Sequence, residues 1–199
     1  MNRDVHPLYQ EALQRLEALL ERARKSDLRE PTAMTLATCS RDGHPMARTV
    51  LLRGLDERGM VFYTNLTSRK GQQLGENPRA ALCFHWQPLE EQVLVEGDVE
   101  LVSEAEADAY WSSRPRESQI GGWASRQSER LPNRFRLLRR VVSRTAHFNV
   151  QKIPRPAFWS GFRIRPQRIE FWSSRPARLH ERRCYERHEE DWESYLLYP

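Results

Sequence analysis

The sequence has 199 residues and a net charge of +5, and 39% of its residues are hydrophobic. This length suits one domain with a substantial core. No apolar run approaches the roughly 20 residues that a membrane helix needs, and the amino terminus lacks the apolar stretch of a signal peptide. We therefore expect a soluble, cytoplasmic protein.

The cysteines and histidines form no familiar metal or redox motif. Cys39, Cys83 and Cys184 are far apart and odd in number, which excludes a disulfide framework and a CxxC pair. The histidines have no metal-ligand spacing. The sequence therefore predicts reduced, structural cysteines and no metal site.

The basic residues are almost all arginine. Lysine occurs only at Lys25, Lys70 and Lys152, so 29 of the 32 basic residues are arginines. Three explanations fit this excess: binding of nucleic acid, binding of phosphate groups on small molecules, or a codon bias that puts arginine where lysine would serve equally well. The positions of the arginines have to decide among them.

The chain begins with a predicted helix and continues with strands. Apolar residues recur every three or four positions from Tyr9 to Ala23, which predicts an amphipathic helix within residues 1–30. Short runs rich in β-branched and aromatic residues then alternate with turns and indicate an antiparallel meander. A short helix is predicted at residues 68–76. The predicted strands of this half are 34–39, 47–53, 60–65, 80–86 and 92–102.

The second half of the chain is predicted to contain helices followed by further strands. The spacing of Ser103 and Glu106 matches a capping box and predicts a helix that begins there. Residues 114–130 resemble a polar connection, and residues 131–144 a strongly basic helix. The last predicted strands are 158–164, 168–172, 182–186 and 192–198. We expect a mainly β (α+β) fold, with one β-barrel-like domain over residues 1–199.

Common catalytic signatures are absent, and clustered cations beside hydroxyl and aromatic side chains remain. The sequence has no P-loop, Rossmann fingerprint, GxSxG or HExxH. Arg48 and Arg53 lie in RTVLLR, where a regular strand would place them on opposite faces unless it twists or bulges. Tyr63-Thr64 precedes the helix start at Arg69-Lys70, whose free N–H groups suit an anion. This second cluster is either a phosphate cradle or a solvated helix cap.

Two further clusters follow in the second half. The segment 114–128 places Arg, Ser and Gln around paired glycines and is either an anion-binding loop or an ordinary polar connection. Arg178, His180 and Arg182 alternate in sequence, so a strand there would put all three on one face. An anionic or electron-rich ligand would relieve their repulsion, which favours a functional role.

The order and separation of these clusters resemble the pyridoxine (pyridoxamine) 5′-phosphate oxidase family. The resemblance covers the chain from about Pro31 to its last residues. The matching stretches are PTAM at 31–34, RTVLLR at 48–53, GMVFYTNLTSRKGQQLGENPRAAL at 59–82, SRPRESQIGGWASRQS at 113–128, FWSGFRI at 158–164 and IEFWSSRPARLHER at 169–182.

The resemblance implies an FMN-binding split β-barrel with flanking helices, which acts as a homodimer with FMN at the subunit interface. In this arrangement residues 158–199 complete the barrel and the site. The positions that match FMN-binding residues of one subunit are Arg48, Val50, Leu51, Arg53, Tyr63, Thr64, Arg69 and Lys70. The positions that match contributions of the partner subunit are Gln92, Gln127, Ser128, Trp172 and Arg182.

The same resemblance implies a substrate and a reaction. The positions that match holders of the substrate phosphate are Arg53, Tyr110, Arg114 and Ser118. Arg178 and His180 match residues over the pyridine ring and are the catalytic candidates. The implied reaction oxidises pyridoxine 5′-phosphate or pyridoxamine 5′-phosphate to pyridoxal 5′-phosphate, with O2 as acceptor and H2O2, plus ammonia from the amine, as products. Arg53 departs from the family, which usually has lysine there.

Two alternatives stay open at this point. A phenazine-pathway FMN oxidase would share the fold and the FMN residues but act on a larger tricyclic substrate. A non-enzymatic flavin or nucleic-acid binding module would use the basic segment, although charge runs are usually solvated faces. The arginines of that segment are Arg134, Arg136, Arg139, Arg140 and Arg144. The resemblance favours the vitamin B6 substrates, with neither nucleic acid nor a membrane as a partner.

Overall fold

Within residues 5–199, which a computed structural model describes, nine strands form one sheet that carries five α-helices. Residues 1–4 of the predicted N-terminal segment lie outside the described residues. The helices are α1 (Pro7–Arg24), α2 (Arg69–Glu76), α3 (Glu104–Ser113), α4 (Arg116–Ala124) and α5 (Arg134–Phe148). None of these helices is both long and apolar enough to cross a membrane.

All strand pairs of the sheet are antiparallel, which confirms the predicted mainly β fold. The main path runs β2-β1-β5-β6-β7-β4-β3, and β8 joins β7 while β9 joins β8. The strands are β1 (Ala33–Cys39), β2 (Pro45–Leu51), β3 (Gly54–Asp56), β4 (Gly59–Asn65), β5 (Arg79–Trp86), β6 (Glu91–Leu101), β7 (Trp159–Ser173), β8 (Glu181–His188) and β9 (Asp191–Leu197).

Strand β7 is one continuous element of 15 residues, so the prediction of two separate strands at 158–164 and 168–172 was wrong. Pro166 did not end the strand because β6 pairs with β7 on both sides of it. The register shifts between Glu96 and Gly97, which leaves Gln167 without a partner in the ladder. Such an irregularity bends a strand without ending it.

The chain segment before β8 is a turn, so Arg178, His180 and Arg182 do not share a strand face as predicted. A single 3₁₀ turn spans Pro176–Arg178, and Ala177 and Arg178 have positive φ angles of 56° and 61°. Strand β8 begins only at Glu181. Two left-handed residues after a proline reverse the chain, which an alternation of charges in the sequence does not reveal.

Helix α4 lies inside the segment that was predicted as a polar connection. Its paired glycines do not break the helix. A Cβ atom on Gly122 would lie 2.9 Å from the ring of Trp111, so this glycine lets α4 pack closely against α3. Both interpretations of this segment, an anion-binding loop or a polar connection, missed the helix at Arg116–Ala124. Tertiary packing overrides the low helix propensity of the two glycines.

The core consists of a main cluster in the barrel, a smaller cluster beneath the helices and a group of three residues, Val61, Val102 and Ala107. Helix α1 covers the main cluster, and its Tyr9 stacks on Trp192 of β9 at a centroid distance of 4.7 Å. The smaller cluster joins α3, α4 and α5 to the start of β7 and consists of Trp111, Ile120, Phe148, Ile153 and Trp159.

A buried arginine fixes α3 to the sheet. Arg163 on β7 is 3% exposed, and its guanidinium lies 2.7 Å from Asp56 and 2.6 Å from Glu106. Glu106 also closes the capping box with Ser103 that the sequence predicted. The pairing of one guanidinium with two carboxylates compensates the buried charge. It also sets the position of the helix that carries Tyr110.

Replacement of Gly59 by alanine should destabilise the fold. Gly59 has a φ of 125°, and a Cβ atom would collide with the carbonyl oxygen of Ile164 on β7. We expect Gly59→Ala to lower the free energy of unfolding by about 3 kcal/mol. Chemical denaturation measures the difference.

Gly75→Ala is the matched control, because Gly75 lies in α2 with open space around its Cβ position. This substitution should be neutral or stabilising by up to about 1 kcal/mol. Equal effects of the two substitutions would contradict the assigned role of Gly59.

Candidate functional site

A cavity of about 610 Å³ opens between the end of β2, strand β4 and helices α3 and α4. It brings together eleven of the residues that the sequence singled out. These residues are Arg48, Val50, Leu51, Arg53, Tyr63, Thr64, Lys70, Tyr110, Arg114, Ser118 and Gln127. The rest of its lining is formed by Thr49, Asn65, Gly121, Gly122, Ser125 and Trp159.

Arg48 and Arg53 reach the same cavity because strand β2 ends between them. The last strand residue is Leu51, and the backbone N–H of Arg53 then donates to the carbonyl of Val61 on β4 at 2.8 Å. The chain thus turns from one strand partner to another before Arg53. A regular strand would need a twist or a bulge for both arginines to reach one site. The structure has the end of β2 there instead.

The start of α2 forms a polar cradle at one side of the cavity. Ser68 caps the helix by accepting from the N–H of Gly71. Lys70 is 9% exposed, and its Nζ lies 3.3 Å from Thr64 Oγ1 and 3.1 Å from Gln127 Oε1. Thr64, Ser68 and Lys70 are buried and Gln127 is exposed, so the base of the cradle differs from a solvated helix cap.

Gln127 and Ser128 contact the cradle of their own chain. Gln127 Oε1 accepts from Thr64 Oγ1 at 3.2 Å, and the backbone N–H of Arg69 donates to Ser128 Oγ at 3.1 Å. These two residues therefore lie at the cradle of their own chain, whereas the resemblance implied that a partner subunit supplies them. The segment after α4 is long enough to fold back onto α2 within one chain.

The cavity is strongly positive, since its lining within residues 5–199 contains no aspartate or glutamate. Burial and then the charge of Arg48 lower the pKa of Lys70. Burial and then Arg69 lower the pKa of Arg48. Both causes disfavour the charged forms, so an anion between these side chains would be bound strongly.

A second positive centre lies against four aromatic rings that contact one another. We call them the aromatic wall: Tyr63, Tyr110, Trp111 and Trp159. The guanidinium of Arg114 is 4.9 Å from the ring of Trp159 and 5.1 Å from that of Trp111. Its Nη1 is buried and has no hydrogen-bond partner within the described chain. Tyr63 stacks on Tyr110 at 3.9 Å and on Trp159 at 5.3 Å. A buried donor without a partner raises the free energy of the folded protein, so an anionic ligand that accepts from Arg114 would be favourable here too.

Burial lowers the pKa of Arg114, and Arg53 lowers it further while Tyr110 raises it. Arg53 therefore adds charge to this second centre. The cavity holds two positive centres, one at Arg48 and Lys70 and one at Arg114 and Arg53, with the aromatic wall beside the second.

Seven predicted residues do not line the cavity. Arg69 and Ser128 lie next to it at the cradle. Four others form what we call the distal row: Gln92, Trp172, His180 and Arg182. Gln92, Trp172 and Arg182 are direct neighbours across β6, β7 and β8. The ring of His180 lies 4.6 Å from that of Trp172. Arg178 precedes them in the 3₁₀ turn. The structure thus groups these residues with each other and separately from the cavity.

Strand β7 separates the cavity from the distal row. Trp159, at its first position, lines the cavity, and Trp172 lies thirteen positions later. Thirteen residues of extended strand span about 43 Å. Even with the bend at Gln167, the two residue groups do not form one pocket within a single chain.

The distal row has its own support. Arg182 Nε donates to Glu170 Oε1 at 2.7 Å, and its Nη1 donates to the carbonyl of Tyr198 at 3.0 Å. Glu170 is 2% exposed, and its hydrogen bonds with Arg182 and Arg168 lower its pKa despite its burial. Arg182 is therefore held in place with its charge compensated.

The basic helix α5 carries a separate, open depression of about 690 Å³. Two of its five arginines make structural contacts: Arg140 Nε donates to the carbonyl of Ala124 at 2.6 Å, and Arg144 lies 5.5 Å from the ring of Trp123. The depression contains none of the residues singled out for FMN or substrate. Two of the five arginines of α5 thus contribute to the packing of the helix.

The β8–β9 hairpin brings together Glu186, His188 and Glu193, a grouping that sequence spacing did not reveal. His188 Nε2 lies 2.7 Å from Glu193 Oε1, and Tyr195 donates to Glu186. Exposed contacts of this kind satisfy the side chains without an ion.

Sequence reasoning missed several residues that shape the site. Trp159 forms part of the aromatic wall, and Gly122 leaves room for the ring of Trp111. Thr38 and Gln73 are buried next to Arg48 and bond to its guanidinium. Trp159 stands in the matching FWSGFRI stretch, which could have indicated it. Gln73 likewise stands in the matching stretch 59–82, whereas Thr38 lies outside all the matching stretches. Both residues act through contacts distant in sequence, which motifs do not show.

The comparison with known proteins agrees with this geometry. Residues 20–148 match the family model described as pyridoxamine 5′-phosphate oxidase, and residues 159–199 match the pyridoxine 5′-phosphate oxidase C-terminal dimerisation region. The pyridoxine/pyridoxamine 5′-phosphate oxidase of Alkalilimnicola ehrlichii is 58% identical, over 96% of this chain and 99% of the relative. That of Myxococcus xanthus is 52% identical, over 94% and 91%.

Solved structures show the same fold. PhzG of Burkholderia lata, in complex with tetrahydrophenazine-1-carboxylic acid, has a TM-score of 0.88 at 33% identity and covers 100% of this chain and 95% of its own. An FMN-binding protein of Nostoc punctiforme has a TM-score of 0.74 at 21% identity, with 94% and 96% covered, and supports the fold alone. The chain belongs to the pyridoxamine 5′-phosphate oxidase family.

Proposed function

We propose that this protein is an FMN-dependent oxidase that converts pyridoxine 5′-phosphate or pyridoxamine 5′-phosphate to pyridoxal 5′-phosphate in vitamin B6 metabolism. The observation that carries the proposal is the pair of positive centres in one cavity of a chain from this family. Two phosphorylated ligands, a cofactor and a substrate, need two such centres. The aromatic wall beside the second centre suits a planar ring.

The residues present fit FMN. The cavity has a volume typical of a small-molecule site, and its first positive centre is buried and lacks carboxylates. We assign the FMN phosphate and ribityl chain to Arg48, Tyr63, Thr64, Lys70 and the α2 start at Arg69. When bound, FMN supplies the two-electron oxidation and transfers the electrons to O2. Val50, Leu51, Gln127 and Ser128 complete this half of the site.

The second positive centre suits the substrate phosphate. Arg114 offers a buried Nη1 without a partner, and Tyr110 and Ser118 add hydroxyl groups at the same wall. Arg53 replaces the usual lysine and brings a forked guanidinium, which binds phosphate through two parallel hydrogen bonds. We propose that these four residues fix the substrate by its phosphate and so orient its C4′ carbon.

A homodimer would complete the site. One chain separates the cavity from Gln92, Trp172, Arg178, His180 and Arg182 by the length of β7, and residues 159–199 match a dimerisation region. We propose that the distal row of one subunit closes over the cavity of the other, with FMN at the interface. Residues 158–199 then complete both the barrel and the active site of a single domain that spans residues 1–199.

The chain's own residues would orient the substrate and handle a proton. Arg178 and His180 are placed over the pyridine ring by this assembly. Of the two side chains, the imidazole of His180 is the one that can act as a base, so it would accept the proton of the alcohol or amine. The alcohol reaction consumes one O2 and yields one H2O2. The amine reaction also consumes one water and releases ammonia.

A phenazine-pathway oxidase is the second candidate, because PhzG of Burkholderia lata shares the fold closely and was solved with a tetrahydrophenazine carboxylic acid. The chain has a second cationic centre suited to a phosphate, and its relatives with over 50% identity are pyridoxine/pyridoxamine 5′-phosphate oxidases. Turnover of pyridoxine 5′-phosphate compared with that of a reduced phenazine carboxylic acid distinguishes the two.

Peroxide formation tests the proposed function directly. The purified protein, reconstituted with FMN, should form one H2O2 for each pyridoxal 5′-phosphate from either B6 substrate. Unphosphorylated pyridoxine should be oxidised at least about 100-fold less efficiently, because it lacks the group that the second centre binds. A protein that does not bind FMN, or that prefers a phenazine substrate, would overturn the proposal.

Substitution of Arg178 and His180 tests the second half of the site. Arg178→Ala and His180→Ala should each lower kcat/KM by about 100-fold, because ring orientation and proton transfer are impaired. FMN affinity should stay within about twofold of the native value, measured by quenching of flavin fluorescence. Arg187→Ala, at the far end of β8, is the control and should leave both quantities unchanged. Loss of FMN from either test variant would show that its residue belongs to the cofactor site.

A further inference from the structure

Arg48 is held by a buried network of neutral groups. Its Nη1 donates to Thr38 Oγ1 at 2.6 Å and to the carbonyl of Leu36 at 3.2 Å, and its Nη2 donates to Gln73 Oε1 at 3.3 Å. Thr38 and Gln73 are 3% and 4% exposed. The guanidinium is thus fixed on one side by three acceptors, none of which is charged.

The orientation of Gln73 is itself fixed. Its Oε1 also accepts from Thr38 Oγ1 at 2.6 Å, and its Nε2 donates to the carbonyl of His44 at 3.4 Å. Both ends of the amide therefore have partners, which places the oxygen toward Arg48. Gln73 lies on α2, three residues after Lys70, so the same helix carries a direct phosphate ligand and the support of Arg48.

The neutrality of this network distinguishes the half-buried Arg48 from the arginines that are paired with carboxylates. Arg163 and Arg155 each contact two carboxylates, and Arg168 contacts Glu96 and Glu170. None of the ion pairs formed within residues 5–199 involves Arg48, and the charge that most affects its pKa is the like charge of Arg69. Arg48 therefore keeps its full positive charge for a ligand in the cavity.

We propose that Gln73, with Thr38, is a positioning residue that holds the Arg48 guanidinium against the FMN phosphate and, by being neutral, leaves its charge available to that phosphate. Glutamate has nearly the same shape and keeps an acceptor oxygen toward Arg48, while it loses the donor to the His44 carbonyl. It would also form an ion pair with it and repel a phosphate in the adjacent cradle. The site therefore needs an amide at position 73 rather than a carboxylate. This inference rests on the proposed FMN site.

The experiment compares two flavins that differ only in the phosphate. Apoprotein is prepared from the purified dimer, and the affinities for FMN and riboflavin are measured by quenching of flavin fluorescence. We expect Gln73→Glu to weaken FMN binding by at least about tenfold, the effect of losing one charge-assisted hydrogen bond. Riboflavin affinity should remain within about twofold of the native value, since it has no phosphate.

Gln72→Glu is the matched control, because Gln72 is the exposed neighbour on the same helix. It adds the same charge without contact to Arg48 and should change FMN affinity by less than about threefold. Gln73→Leu separates shape from charge: it removes the hydrogen bonds without adding a carboxylate and should weaken FMN binding less than Gln73→Glu does. Thr38→Val should have a similarly intermediate effect and provides a test if Gln73→Glu does not fold.

The outcomes separate this inference from the proposed function. If the native protein binds neither flavin, the proposed function fails. If the native protein binds FMN and Gln73→Glu binds it equally well, the positioning role is wrong. Equal weakening of FMN and riboflavin in the Gln73 and Thr38 variants would show a merely structural role and would also overturn the inference.

Discussion

The pairing of β7 is the constraint on which the rest of the structure depends. Its first half pairs with β4 and its second half with β8, while β6 pairs with residues 162–173 on the other side. The strand therefore carries the aromatic wall at Trp159 and the distal row at Trp172, and keeps them apart. Under the proposed function, a chain built in this way carries two separate halves of the active site. Association of two copies is the simplest arrangement in which both halves can meet. The length of β7 is therefore one reason to propose a homodimer.

Charge compensation divides the arginines of the protein into two kinds. Arg155, Arg163 and Arg168 each pair with two carboxylates and stabilise the fold. Arg48 and Arg114 are partly buried and lack such partners within residues 5–199, so their burial disfavours the free protein. A bound phosphate would offset that cost at each centre. The arginine excess of the composition thus has a structural part and a ligand-binding part, and the partners of each side chain distinguish them.

Much of the fold followed from local sequence signals, whereas the errors came from long-range contacts. The capping box at Ser103 and a strand at residues 60–65 were predicted because neighbouring residues determine them, and the observed strand is Gly59–Asn65. The helix at 116–124 was missed because Gly122 packs against Trp111, and the unity of β7 because β6 supports it across Pro166. Composition and spacing indicated clustered cations, and the resemblance supplied their roles. Only coordinates show that Gln127 lies beside Lys70 of the same chain and that Gln73 supports Arg48.

Two arginines of the proposed FMN site are held by different kinds of side chain, one neutral and one charged. Glu170 holds Arg182, so that arginine is an oriented donor whose charge is compensated. Gln73 holds Arg48, so that arginine is an oriented donor whose charge is free. FMN has a dianionic phosphate at one end and a neutral ring system at the other. A free charge is useful only near the phosphate, because next to a neutral group it would add desolvation cost without a matching attraction. Under the proposed function, the supporting residue behind each arginine therefore indicates which part of the cofactor that arginine meets: the phosphate for Arg48 and an uncharged part for Arg182.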